Sequence, residues 1–193
     1  MTGGHPAIPV QASEFACVDL VNSAFTDHLG SGQVMDRLDS PEWMAWFLER
    51  YELTPDERGP APIDELVVAR RDIRRVLGKW ARRVAPSRRD VRLLDAHLRG
   101  ATFQLRVAPG ASALEVRQEP LERSWRWVIS AVVASAVELQ RDGDPGRLKT
   151  CANPDCSWLF YDTTINHARQ FCSTTPCGSL IRVRRFRDRI GDR

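Results

Sequence analysis

At 193 residues, with 42% apolar and 27% charged residues, the chain is long enough to bury a core and too ordinary in composition to be fibrous or low-complexity. No stretch is apolar enough to cross a membrane: the nearest, Val128 to Leu139, is too short and is flanked by arginines. The formal charge of +3 conceals an asymmetry, because residues 147–193 carry nine Lys/Arg against four Asp/Glu, net +5, while residues 1–146 carry 19 against 21, net −2. Positive potential gathered at one end is what an anionic partner would select.

Residues 1–12 are rich in Gly and Pro and are expected to be frayed or extended, with His5 facing solvent. Ser13 or a neighbour would cap a short helix through Phe15, Val18, Leu20 and Val21. Within it the lone Cys17 reads as a small buried hydrophobe. Asp19 and Asn22 are candidates to line a ligand pocket, or to hold a loop by hydrogen bonds. Thr26 to Asp39, with Gly30 and Gly32, reads as a loop that carries a surface histidine, His28. Ser40-Pro41-Glu42 opens a helix with an N-cap, a first-turn proline and an early acid, and its Trp43, Trp46, Phe47 and Tyr51 form a core-facing aromatic stripe. After a proline-rich loop, residues 64–84 predict a long helix with Leu66, Ala69, Ile73, Val76, Leu77 and Trp80 inward. Its arginines make a second basic surface, which i,i+4 acids would offset in part. Ser87 to Leu98 predicts another helix, with Val91, Leu94 and Leu98 inward.

Residues 102–118 alternate in hydrophobicity on both sides of a Pro-Gly turn and predict a β-hairpin lying on the helices. Trp125 to Arg141 is apolar nearly all round and is expected to be the central helix. The linker at residues 142–146 is short enough to suggest that the C-terminal segment docks on the helical unit.

That C-terminal segment holds a metal motif. Cys151 and Cys156 form one Cys-x4-Cys pair, Cys172 and Cys177 a second, and a fifteen-residue loop joins them. Two knuckles of this kind bring four soft ligands to one tetrahedral Zn2+, and with no open position the metal is structural. Disulfides fit poorly with so few cysteines and no secretory leader, whereas an iron–sulfur cluster takes the same four thiolates and spacing alone does not separate it from zinc. Trp158, Leu159, Phe160 and Tyr161 are expected to pack beside the metal. Beyond Cys177 a helix carries Leu180, Val183, Phe186 and Ile190 as one apolar stripe, with Arg182, Arg184, Arg185, Arg187 and Arg189 around the rest. Such a helix is a candidate reader of phosphate backbone; the plainer reading is a solvated charged face.

Cys151, Cys156, Leu159-Phe160-Tyr161-Asp162, Phe171-Cys172 and Cys177-Gly178 resemble the CGNR zinc finger of bacterial proteins, with Ser179 and Leu180 standing where that family has Asn and Arg. Upstream, the segments 16–23 and 36–53 resemble the ABATE domain that precedes this finger. The resemblance implies a transcription regulator of two parts: an ABATE-like domain over residues 1–146, and over 147–193 a small treble-clef-like or ribbon-like finger ending in a basic helix.

The fold expected is mainly α with a small β-hairpin. The function expected is zinc-dependent DNA binding in the cytoplasm, the N-terminal domain sensing a small-molecule effector or forming a homodimer. A non-enzymatic adaptor binding RNA or protein is the alternative. Catalysis is not expected, since the sequence has no Gly-rich phosphate loop, no Ser/His/Asp arrangement and no metal site with a free position.

Overall fold

The computed structural model describes residues 12–27, 32–110 and 112–191. The expectations for His5, His28 and Gly30 lie outside them, as do the side chains of Pro176 and Arg185. Helix α5 (Trp125–Asp142) is the central helix of the main core. Ser124 caps it by accepting the Trp127 N–H, and it buries Trp127, Val128, Ile129, Val132, Val133, Ala136 and Leu139. Helices α1 (Ala16–Asn22), α3 (Ile63–Ala81) and α4 (Arg88–Leu98) pack against it. Val137 turns outward, so the central helix keeps one solvent-facing strip.

Local signals explain most element starts. The Ser40 hydroxyl accepts the Trp43 N–H to open α2 (Pro41–Arg50), where Trp43 stacks on Phe47 at 4.9 Å between ring centroids. Each of these two buried aromatics contributes roughly 1.5–3 kcal/mol of transfer free energy. Ser87 and Asp90 form a capping box at the start of α4. The segment expected to be plain loop contains the three-residue strand β2 (Val34–Asp36), which pairs antiparallel with β1 (Ala24–Thr26) at the segment's start. Strands this short leave too little alternation to be read in sequence. Val91, expected inward, is exposed; α4 is anchored instead by Leu94, by Asp90 and by His97, whose Nε2 meets Asp72 at 3.0 Å.

The basic face of α3 is largely spent inside the protein. Arg70 is buried and grips Asp36 through two 2.6 Å contacts, while its Nη1 also donates to Ser23 Oγ. Arg75 and Lys79 converge on fully buried Asp90. Lys79 above all, then Ser87 and Arg75, hold its carboxyl far below the usual range. Arg74 donates to the carbonyls of Val21 and Ser157. A charge run that sequence cannot distinguish from a binding surface is here a set of struts.

The hairpin is the clearest departure. Strands β3 (Phe103–Pro109) and β4 (Leu114–Pro120) pair in register, Val107 opposite Val116, but they contact chiefly each other and stand out from the helices. Diagonal pairing of Arg106 with Glu119 and the Glu115–Arg117 pair occupy one face. The apolar face, expected against the core, is open.

Candidate metal centre

After α5 the chain forms β5 (Leu148–Thr150), paired antiparallel with β6 (Leu159–Tyr161), then a π-type turn at Thr174–Gly178 that runs directly into α6 (Ser179–Gly191). The first knuckle follows β5 and the second runs into α6, so β5 ends and α6 begins at the cysteine cluster. All four sulfurs, of Cys151, Cys156, Cys172 and Cys177, lie within 4.8 Å of one another and all four residues are buried. A tetrahedron with bonds of about 2.3 Å sets sulfurs about 3.8 Å apart; Cys156 and Cys172 stand at 3.8 Å, Cys172 and Cys177 at 3.6 Å. These separations are far beyond a disulfide bond of about 2.05 Å. They also leave no room for an iron–sulfur cluster, whose own sulfides would hold the thiolates apart. The donor set fits one Zn2+.

Backbone and side-chain donors are turned toward the sulfurs: the Cys172 N–H donates to Cys151 Sγ at 3.4 Å. Asn153 is fully buried: its Nδ2 donates to Cys177 Sγ at 3.7 Å, while its Oδ1 accepts the Asp155 N–H and turns the knuckle. Cys17, by contrast, is sealed among apolar groups, and burial pushes its thiol up to about 12. It is a core residue, as its isolation in sequence suggests.

Around the cluster, strand β6 divides its side chains. Phe160 packs on the cysteines beside Trp158 and Phe171, whereas Leu159 and Tyr161 turn to the helical unit, where Leu159 joins the main core. The expectation that all four aromatic and aliphatic residues would serve the metal is thus half met, because a strand alternates its faces. Arg169 donates to the Phe171 and Cys172 carbonyls and lies 4.7 Å over the Phe160 ring. Asp162 is buried and accepts from Lys149, from Thr164 Oγ1 and N–H, and from the Arg169 N–H. Burial pushes its carboxyl up, but these donors together hold it well below the ordinary range. Sequence reasoning places Asn153 in the turn of the first knuckle but missed its contact with Cys177, and it missed Asp162 as a support of the centre. The available signal was position: one sits inside the first knuckle, the other closes the Leu-Phe-Tyr-Asp strand.

The finger is joined to the helices by backbone pairing. Asn22 Nδ2 donates to the Leu159 carbonyl at 2.8 Å and its Oδ1 accepts the Leu159 N–H at 3.0 Å. Arg37 is buried at the same seam, with its guanidinium 4.1 Å from the Phe25 ring centroid and 5.5 Å from that of Trp158. Burial pushes its pKa down to about 10. Asp19, the other candidate pocket residue, accepts from Tyr51 Oη at 2.7 Å and from the Ser13 N–H. Burial raises its pKa. Asp19 and Asn22 line a cleft of about 360 Å3 between α1 and β6, along with Trp158 and Arg169.

On α6, Ile181 is the buried anchor and Leu180 is half-buried, while Val183, Phe186 and Ile190 face outward. Arg182, Arg184, Arg187 and Arg189 are exposed; Arg184 pairs with Asp155 at 2.6 Å and Arg182 Nε donates to the Gly178 carbonyl. Ser179, in the place of the finger family's Asn, donates its hydroxyl to the Thr174 carbonyl.

Among the described residues, no helix is long and apolar enough to cross a membrane. Comparison with curated proteins gives no match. Two family models do match, in tandem: the CGNR zinc finger over residues 147–190, and over residues 14–143 the ABATE family, described as "Putative stress-induced transcription regulator". Neither is an enzyme family. The four-thiolate centre lies within the finger match and the helical core within the other, which spans more than half of the chain; the protein belongs to the ABATE family and carries a CGNR zinc finger with one structural zinc site.

Proposed function

We propose that the protein is a DNA-binding transcription regulator, with residues 1–146 as its sensing or pairing domain and residues 147–193 as its DNA-binding finger. One observation carries this reading: α6 begins at the metal, since Gly178 follows Cys177 and precedes Ser179, so zinc fixes the direction of a helix whose exposed side chains are mostly arginine. Arg182, Arg187 and Arg189 contact phosphate backbone, with Arg185 beside them in sequence. Arg184 joins only on leaving Asp155. Arg70 and Arg75 of α3 are paired with acids and Arg74 is held on backbone carbonyls, which supports α6 as the basic surface. The cleft at Asp19 and Asn22 lies against the finger, which makes it the place where a small effector would bear on finger position. A cytoplasmic location and absence of catalysis go with this reading.

The test is duplex DNA binding across a salt series for wild type and for the triple variant Arg182→Ala/Arg187→Ala/Arg189→Ala. Each phosphate contact removed flattens the log–log salt slope by roughly 0.9. Absence of binding at low salt by zinc-loaded protein would overturn the proposal. A second reading, an adaptor that docks on a protein partner, is favoured by the outward stripe of Val183, Phe186 and Ile190 between the arginines. It predicts that Phe186→Ser abolishes partner binding and leaves DNA affinity unchanged.

A further inference from the structure

The β3–β4 hairpin has two unlike faces. On one, beside the neutral Gln104, Arg106 pairs with Glu119 and Arg117 with Glu115, so the charges are met within the hairpin. On the other, Leu105, Val107, Leu114 and Val116 lie 66–78% exposed, with Phe103 45% exposed at the base. At its base the Leu121 N–H donates to the Thr102 carbonyl, one rung beyond the paired strands, and among the described residues no helix covers its apolar face. A two-stranded hairpin alone in water is marginal at best and takes its stability from what packs on it. Concentrated aliphatic surface of this kind marks an interaction site.

We infer that this face packs against the same face of a second copy of the chain. Three properties select that occupant. The face carries no charged side chain, so it offers no complement to an acidic or basic partner; Gln118 is the polar residue within it. The patch is centred on the directly opposed Val107–Val116 pair, with Leu105 to one side and Leu114 to the other. A two-fold axis passing between the hairpins at that pair sets each leucine over an aliphatic neighbour, the self-complementarity an isologous contact requires. Area is sufficient: at roughly 100 Å2 apiece, five side chains offer about 500 Å2 per copy. Two copies then bury about 1,000 Å2, the size at which specific contacts begin. The stacked hairpins would lie about 10 Å apart as a small four-stranded sandwich, each supplying the cover the other lacks. This inference holds whatever α6 binds.

Sedimentation velocity of the zinc-loaded full chain, over roughly 1–100 µM, tests it. Wild type is expected to show a concentration-dependent dimer. Val116→Lys places a charge at the axis and is expected to weaken dimerisation at least tenfold, with circular dichroism and zinc content unchanged. Leu114→Lys, at the exposed tip, repeats the test where Val116→Lys fails to fold. Arg106→Gln, on the opposite face, is expected to leave the dimer intact. A wild-type monomer throughout the range overturns the inference. So does a folded Val116→Lys or Leu114→Lys protein that dimerises as wild type does, or equal loss of dimer in Arg106→Gln.

Discussion

Replacing Asn22 by Ala removes a side chain that acts as a piece of backbone. In the β5–β6 pair the Cys151 N–H donates to the Trp158 carbonyl and the Asp162 N–H to the Arg147 carbonyl, so by antiparallel alternation the Leu159 amide points off the open edge of β6. Asn22, itself 5% exposed, accepts the Leu159 N–H and donates to the Leu159 carbonyl. Truncation leaves one buried donor and one buried acceptor unpaired, at roughly 1–3 kcal/mol each. Water entering the space left by the side chain recovers part of this, so the expected loss is about 3 kcal/mol, a large share of a total stability of roughly 5–15 kcal/mol. For a chain of this length that corresponds to a fall in Tm of about 6–12 °C. Asn22→Asp separates the two bonds, since it retains the acceptor for the N–H but sets a carboxylate oxygen against the carbonyl. It should be at least as damaging as Asn22→Ala. Urea unfolding monitored by tryptophan fluorescence, on protein with zinc content verified, measures both. A loss below about 0.5 kcal/mol in Asn22→Ala would refute the reasoning, because surface changes without a structural role fall within that range.

Elemental analysis of reduced protein is expected to give one zinc per chain, and Cys177→Ser to abolish stoichiometric binding; iron in its place, which four thiolates also hold tetrahedrally, would overturn the assignment to zinc. Asp90 provides a pH test. Because Lys79 and its other partners depress its folded pKa, the stability it contributes is complete above the ordinary carboxylate pKa of about 4 and is lost as pH falls toward the lower folded value. The stability gap between wild type and Asp90→Asn should therefore be widest near neutrality and narrow on acidification below about pH 4. Urea midpoints across that range check it, and a gap independent of pH would show that the charge of Asp90 is unimportant.

The elements visible in sequence were those with long apolar periodicity or distinctive side chains. The inward rows of α3 and α5, the Ser40 cap and the paired cysteines all survive in the structure because local pattern and burial agree there. What escaped was long-range. Nothing in a run of arginines tells that Arg70 will meet Asp36, thirty-four residues away, or that Arg74 will brace the finger. The hairpin was legible as a hairpin, but alternation says only that one face is apolar, not what that face meets. In the finger, spacing identified the ligands. The roles of Asn153 and Asp162 depend on where their side chains turn, and that is set by knuckle and strand geometry which spacing does not encode.

Leu148 and Leu159 lie in the main core cluster with α1, α3 and α5, although both belong to the finger's sheet. A family boundary drawn near residue 146 therefore cuts through a shared interior. The finger is not a cassette that can be lifted onto another protein. Excised, it would carry two bare leucines and an open strand edge into water, an invitation to aggregate. Any host that accepts it must supply an amide in the position of Asn22 and an apolar floor beneath β5 and β6.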